Sequence, residues 1–223
     1  MIINERFTSY LHSMEDDVPS FFEELRKKAE ADHVPIIRRE SERFLKTLLA
    51  IHEPAFILEI GTGVAYSALV FAASCKQVKQ ITTIENYPPR IESAKANIND
   101  FYEQELRQRE DLKIDLLEED AVRAVSHLES PFDFIFLDGP KAQYIVMLPD
   151  LVRLLKPGGV MVADNVLQEG DLIESRFVTP RRQRTIHERM RTFIWETMHH
   201  PQLTSSLLTV GDGMIVSVKN DKQ

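Results

Sequence analysis

Phe132-Asp133-Phe134-Ile135-Phe136-Leu137-Asp138-Gly139-Pro140-Lys141-Ala142-Gln143-Tyr144 is an apolar run that stops abruptly on an acid, a turn and a lysine. A hydrophobic run of this length, closed by Gly-Pro, predicts a buried strand over Phe132–Leu137. Open α/β sheets bind ligands beyond the carboxyl ends of their strands, so Asp138 and Lys141 are the first candidates for chemistry. Read alone, the stretch is equally an ordinary strand ending in an Asp-Gly-Pro turn. Its surroundings decide between the two.

From Pro54 onward, short apolar runs alternate with amphipathic segments. Strands are expected near Phe56–Ile60, Ile81–Ile84, Leu112–Leu117, Phe132–Leu137 and Val160–Ala163, with helices between them. This alternation predicts an α/β fold: a doubly wound, mostly parallel sheet with helices on both faces. Two last strands, Leu203–Val210 and Met214–Val218, flank Gly211-Asp212-Gly213, a hairpin turn that predicts an antiparallel end to the sheet. Before Pro54, Phe7, Leu11, Met14, Phe21, Phe22, Leu25, Phe44, Leu45 and Leu48 recur at helical spacing. They predict an N-terminal helical cap over residues 1–53, broken by a loop at Pro35 with Ser41 near the next helix start. The chain is read as one domain, 1–223, with its core in 54–223.

At 223 residues, 43% hydrophobic and 28% charged, the composition is that of a water-soluble globule. No apolar run reaches the roughly 18 residues needed to cross a bilayer, and Met1–Arg6 lacks a basic region leading into an apolar block. The expectation is a cytoplasmic protein without a membrane partner. One cysteine, Cys75, excludes an internal disulfide framework and a cysteine-rich zinc site. A net charge of −8 argues against a general nucleic-acid coat but leaves room for a local basic patch.

The first strand runs into Glu59-Ile60-Gly61-Thr62-Gly63-Val64-Ala65-Tyr66-Ser67, where glycines permit a tight turn and a close ligand. Glu85 ends the second strand, where a carboxylate can accept both ribose hydroxyls. Asp120 ends the third, within reach of an adenine amino group, although it also suits a helix N-cap. A dinucleotide would bring a pyrophosphate to this turn. S-adenosylmethionine brings instead a sulfonium and an ammonium, and Glu59 beside the turn favours that cationic ligand. Ala65, where a third glycine would stand, weakens the dinucleotide alternative further.

The fifth strand ends in Asp164-Asn165 on the edge that carries Asp138. Two carboxylates and an amide oxygen suit a hard divalent cation such as Mg²⁺. Such an ion would hold two adjacent acceptor oxygens and acidify the hydroxyl to be methylated. Lys141 would take the proton if desolvation and the cation lower its pKa.

Ile57-Leu58-Glu59-Ile60-Gly61-Thr62-Gly63, Phe136-Leu137-Asp138, Leu155-Lys156-Pro157-Gly158-Gly159, Asp164-Asn165-Val166-Leu167 and Val210-Gly211-Asp212-Gly213 together resemble the cation-dependent O-methyltransferases, the family of catechol and caffeoyl-CoA methyltransferases. The resemblance implies a seven-stranded Rossmann-like methyltransferase sheet, a homodimer, and a metal on Asp138, Asp164 and Asn165. It implies donor contacts at Ile37, Glu59, Ser67, Glu85, Asp120, Ala121 and Asp138, beside Gly61, and Lys141 as the catalytic lysine. Leu137-Asp138-Gly139-Pro140-Lys141-Ala142-Gln143-Tyr144 is most similar to the bacterial branch that methylates 5-hydroxyuridine at the tRNA wobble position. That base offers a 5-hydroxyl and a 4-oxo group as a chelating pair. Gln168-Glu169-Gly170 departs from members acting on small phenols, which carry an aromatic residue there.

Arg176, Arg181, Arg182, Arg184, Arg189 and Arg191 crowd one segment, and Arg38 and Arg39 extend the patch. Arg38, Arg39, Arg181, Arg182 and Arg184 are the candidate contacts to tRNA phosphates in the anticodon region. Three alternatives stand beside this reading: a catechol-like acceptor, a non-catalytic S-adenosylmethionine-binding module, and a nicotinamide dehydrogenase.

Overall fold

In a computed structural model, the described residues are 5–14, 19–105, 109, 111–175, 177 and 179–221. Three helices come first: α1 (Glu5–His12), α2 (Ser20–Ala31) and α3 (Arg39–His52). The core then alternates: β1 (Phe56–Ile60), α4 (Tyr66–Ser74), β2 (Gln80–Glu85), α5 (Pro88–Gln104), β3 (Lys113–Glu118), α6 (Ala121–His127), β4 (Phe132–Leu137), α7 (Tyr144–Leu154) and β5 (Leu155–Ala163). α8 (Arg184–Met198), β6 (Leu203–Leu208) and β7 (Met214–Lys219) close the described chain.

The seven strands form one sheet in the order β3-β2-β1-β4-β5-β7-β6. β1 to β5 pair in parallel, and β7 inserts antiparallel between β5 and β6. The fold is therefore the seven-stranded Rossmann-like methyltransferase sheet that the alternation and the resemblance predict. Side chains alternate across the strands as the period of two requires. Phe134 and Phe136 pack with α2, α3, α4 and α5, while Ile135 and Leu137 pack with α6, α7 and α8. Phe71 on α4 meets Phe134 and Phe136 edge-on, with ring centres 6.1 and 5.3 Å apart.

β2, β3 and β7 differ from expectation by one residue at one or both ends and β6 stops at Leu208 rather than Val210, while two further differences have a clear cause. β5 begins at Leu155 rather than Val160, because Leu155 lies opposite Phe132 and Val160 opposite Phe134. Residues 156–159 bulge out between those pairs, which Pro157 and the left-handed Gly158 allow. α3 starts at Arg39, two residues ahead of Ser41, because Arg38 already has the extended backbone of an N-cap.

The site follows from the strand order. The order in which successive strands are added reverses between the parallel neighbours β1 and β4, and there the loops leave toward opposite faces and open a crevice. Gly61 and Asp138 end those two strands. A Cβ on Gly61 would stand 2.6 Å from the Asp138 carbonyl oxygen, and Gly61 has φ +99°. No side chain fits, so the glycine lets the two loops meet at the floor of the crevice.

Candidate active site

A cavity of about 540 Å³ opens at this crevice. Of the candidate donor contacts, Ile37, Gly61, Ser67, Glu85, Asp120, Ala121 and Asp138 line it. Glu59 lies beneath the wall, fully buried, where its Oε1 accepts from Ser67 Oγ and its Oε2 from Thr83 Oγ1, both at 2.5 Å. Burial, only partly offset by the two hydroxyls, pushes the Glu59 carboxyl up to about 7. Glu85 holds the glycine turn, accepting from the amides of Gly63, Asn86 and Tyr87 at 3.0 to 3.1 Å. Asp120 is an N-cap and also a cavity residue. It caps α6 by accepting from Arg123 N at 3.2 Å, and it also faces the cavity.

β4 and β5 bring Asp138, Asp164, Asn165 and Lys141 together at one edge. Lys141 Nζ donates to Asp138 Oδ1 at 3.1 Å, to the Asp164 carbonyl at 2.9 Å and to Tyr144 Oη at 3.1 Å. All three of its donors are engaged. Asn165 Nδ2 donates to Asp138 Oδ1 at 3.2 Å, from a backbone with φ +55° that asparagine tolerates. Asp164 Oδ2 is buried with no hydrogen-bond partner. Burial and then the charge of Asp138 push the Asp164 carboxyl up to about 7.

The Lys141 pKa turns on charge balance as well as burial. Burial alone would lower its pKa, but the Tyr144 hydroxyl and the charges of Asp138 and Asp164 outweigh it and raise the value above that of a free lysine. With those carboxylates uncompensated, the ammonium is held rather than released. Among the described residues, no group of three or more His, Cys, Asp or Glu side chains gathers as a metal site. The donor set here is two carboxylates and one amide. An unpartnered buried carboxylate oxygen beside a second carboxylate suits a hard cation.

A second cavity of about 530 Å³ adjoins the first and shares Pro35, Ile36, Lys141 and Asn165 with it. Its remaining wall carries the polar side chains of Gln168, Glu169, Asp171, Gln183 and Asp212 together with apolar Ile186. Asp212, at the β6–β7 turn, accepts from the amide of Glu169, and Leu167 N donates to its carbonyl at 3.0 Å. Sequence reading passed over Asp212 as a turn residue, and over Gln143, whose Nε2 donates to Asp120 Oδ2 at 3.4 Å. Only the spacing of Gln143 from Lys141 could have flagged it.

The arginine patch divides. Arg181 and Arg182 are exposed at the start of α8. Arg38 reaches Glu169 at 3.5 Å across the second cavity. Arg39 is paired with Glu23 at 2.9 Å. Arg184 donates to the carbonyls of Thr179 and Phe177, Arg189 to that of Ala142 and Arg191 to that of Leu172. Arg176 lies outside the described residues. Among the described residues, no helix is long and apolar enough to cross a membrane.

The sheet order and this crevice define a class I methyltransferase architecture. The model of one family, described as O-methyltransferase, matches residues 12–220. The chain belongs to that family and is an S-adenosylmethionine-dependent O-methyltransferase. It is similar to tapetum-specific methyltransferase 1 of Arabidopsis thaliana, 29% identical over 77% of this chain and 72% of that one. It is also similar to a catechol O-methyltransferase of Niastella koreensis, 30% identical over 62% of this chain and 61% of that protein. A Staphylococcus aureus structure, described as a candidate caffeoyl-CoA O-methyltransferase, superposes with a TM-score of 0.82 at 28% identity, covering 97% of this chain and 99% of that one. SAH-bound PaMTH1 of Podospora anserina gives 0.83 at 22% identity over 97% and 95%, a likeness of fold.

Glu59 and Asp164 predict how stability varies with pH. Both hold a proton more tightly folded than unfolded, since their ordinary values are 4.5 and 3.8. The folded chain therefore binds more protons between about pH 4 and 7, and stability falls as pH rises through that window. Glu23, Glu42 and Asp133 are lowered and act oppositely, but only at more acid pH. In chelator, urea unfolding should show the protein more stable at about pH 5.5 than at about pH 8, by roughly a few kcal/mol. A rise in stability over that interval would contradict the assignment.

Proposed function

We propose that the protein transfers the methyl group of S-adenosylmethionine, with Mg²⁺, to the 5-hydroxyl of 5-hydroxyuridine at the tRNA wobble position. The observation that carries the chemistry is the convergence of Asp138, Asp164, Asn165 and Lys141 between two adjoining cavities. In this reading the larger cavity takes the donor, on Ile37, Gly61, Ser67, Glu85, Asp120, Ala121 and Asp138, with Glu59 beneath the wall fixing Ser67. Asp138, Asp164 and Asn165 fit a hard divalent cation once the Asn165 amide turns its oxygen inward. Held there by Asp138, Asp164 and Asn165, such a cation would supply electrophilic activation of the acceptor. With both carboxylates compensated, burial favours a neutral Lys141, whose Nζ takes the acceptor's hydroxyl proton. Ser67 and Glu85 orient the donor, and the remaining contribution of the chain is alignment of the two reactants.

Two features support a nucleotide acceptor. The acceptor wall is built from Gln168, Glu169, Asp171, Gln183 and Asp212, side chains that hydrogen-bond a base edge. Arg181 and Arg182 stand exposed at the helix start that follows this wall, and with Arg38 they are the proposed phosphate contacts. Arg39, paired with the Glu23 carboxylate, and Arg184, which donates to the Thr179 carbonyl, flank them and complete the proposed phosphate-binding patch. A homodimer presenting two such sites belongs to the same proposal. A catechol-like metabolite is the second reading, favoured by similarity to a catechol O-methyltransferase.

Nucleoside mass spectrometry of bulk tRNA from cells lacking the protein tests the acceptor. Loss of 5-methoxyuridine with accumulation of 5-hydroxyuridine is expected. Unchanged 5-methoxyuridine, together with methylation of catechol by the purified protein, would select the second reading.

A further inference from the structure

The N-terminal helices meet the core through a buried charged network that the chemistry above leaves unused. Arg26 on α2 is 5% exposed. Its Nη2 donates to Glu42 Oε2 at 2.8 Å and to Tyr66 Oη at 3.0 Å, and both Nη atoms donate to the Ile37 carbonyl at 3.2 Å. Its guanidinium carbon stands 4.7 Å from the Tyr66 ring centre. Tyr66 donates in turn to Glu42 Oε2 at 2.8 Å, and Lys46 Nζ donates to Glu42 Oε1 at 2.6 Å. Burial, then the Glu42 charge, raises the Tyr66 pKa, so its hydroxyl keeps the proton that this bond requires.

A buried ion pair is a poor way to glue helices together, because desolvation offsets most of its attraction. Apolar side chains would dock α2 as well. What the network adds is placement. Ile37 and Tyr66 come from different segments, both line the larger cavity, and Arg26 holds one by its carbonyl and the other by its hydroxyl.

We infer that Arg26 is a positioning residue for the methyl donor, coupling the docking of α2 to occupancy of the larger cavity through Ile37 and Tyr66. The inference rests on the reading of that cavity as the donor site. Coupling is reciprocal, so donor binding also tightens the docking of α2. Only a guanidinium fork serves all three acceptors together, and a lysine ammonium in its place loses that geometry.

The test titrates S-adenosylhomocysteine calorimetrically into wild type, Arg26→Lys and the double variant Arg26→Met with Glu42→Gln. The double variant removes both charges at similar volume, so it should melt close to wild type. Arg26→Lys is expected to weaken binding about tenfold, the worth of a charge-assisted hydrogen bond, and the double variant at least as much. In wild type, S-adenosylhomocysteine should slow amide hydrogen exchange across residues 20–31, and Arg26→Lys should abolish that protection. Wild-type affinity in the folded fraction of either variant, whatever its melting temperature, would overturn the inference and leave Arg26 purely structural. If the double variant does not fold, Arg26→Lys decides alone. Failure of wild type itself to bind S-adenosylhomocysteine would overturn the donor-site reading instead, and the two failures are distinct.

Discussion

Asp138→Ala should slow methyl transfer at least about a thousandfold, a barrier increase of roughly 4 kcal/mol, while the chain still folds. The expected effect is large because one carboxylate faces three partners. Its Oδ1 accepts from Lys141 and Asn165, and its residue lines the cavity of about 540 Å³. Folding survives because Lys141 retains Tyr144 and the Asp164 carbonyl, while Asp164 loses the neighbour whose charge raises its pKa. Asp138→Asn should cost nearly as much, since the charge rather than the shape is lost. Single-turnover transfer from labelled donor, with thermal melts alongside, measures both. Activity within tenfold of wild type would remove Asp138 from the mechanism.

Gly61→Ala should lower the melting temperature by roughly 6–12 °C, equivalent to about 3 kcal/mol for a chain of this size. A methyl there meets the backbone of Asp138 and Gly139, not the end of a side chain that can swing aside. The left-handed φ of +99° adds strain for any L residue. The crevice must widen, moving Asp138 away from Asn165 and Lys141, so donor binding should fall with stability. Differential scanning calorimetry and S-adenosylhomocysteine titration read the two effects. A variant melting within about 2 °C of wild type would show that the floor of the crevice is softer than this contact implies.

The legibility of these elements in sequence followed burial. β1 and β4 were readable to the residue because each is an apolar run terminated by a glycine or an acid. The start of β5 was not, because Lys156-Pro157-Gly158-Gly159 has the composition of a loop and only pairing with Phe132 makes Leu155 part of the strand. The site acids were visible as strand endings, a one-dimensional signal. Relations across segments were not. Arg26 sits in a helical pattern where a charged residue is ordinarily solvated, and its burial depends on Ile37, Glu42 and Tyr66. The side-chain bonding within the arginine cluster was likewise not legible. Proximity in sequence suggested one surface, whereas Arg184, Arg189 and Arg191 turn to backbone carbonyls. The direction of the Lys141 shift likewise depends on Tyr144 and Asp164 as well as on burial.

Pro35, Ile36, Lys141 and Asn165 face both cavities, whereas Gln168, Glu169, Asp171, Gln183 and Asp212 face only the smaller one. The common wall constrains how such an enzyme can diverge. A substitution at a shared position alters two recognition problems at once and is penalised by whichever it worsens. Substitutions along 168–183 alter one. The lining of the smaller cavity can therefore change while that of the other stays fixed, so a single methyl-transfer engine can be refitted on one side alone.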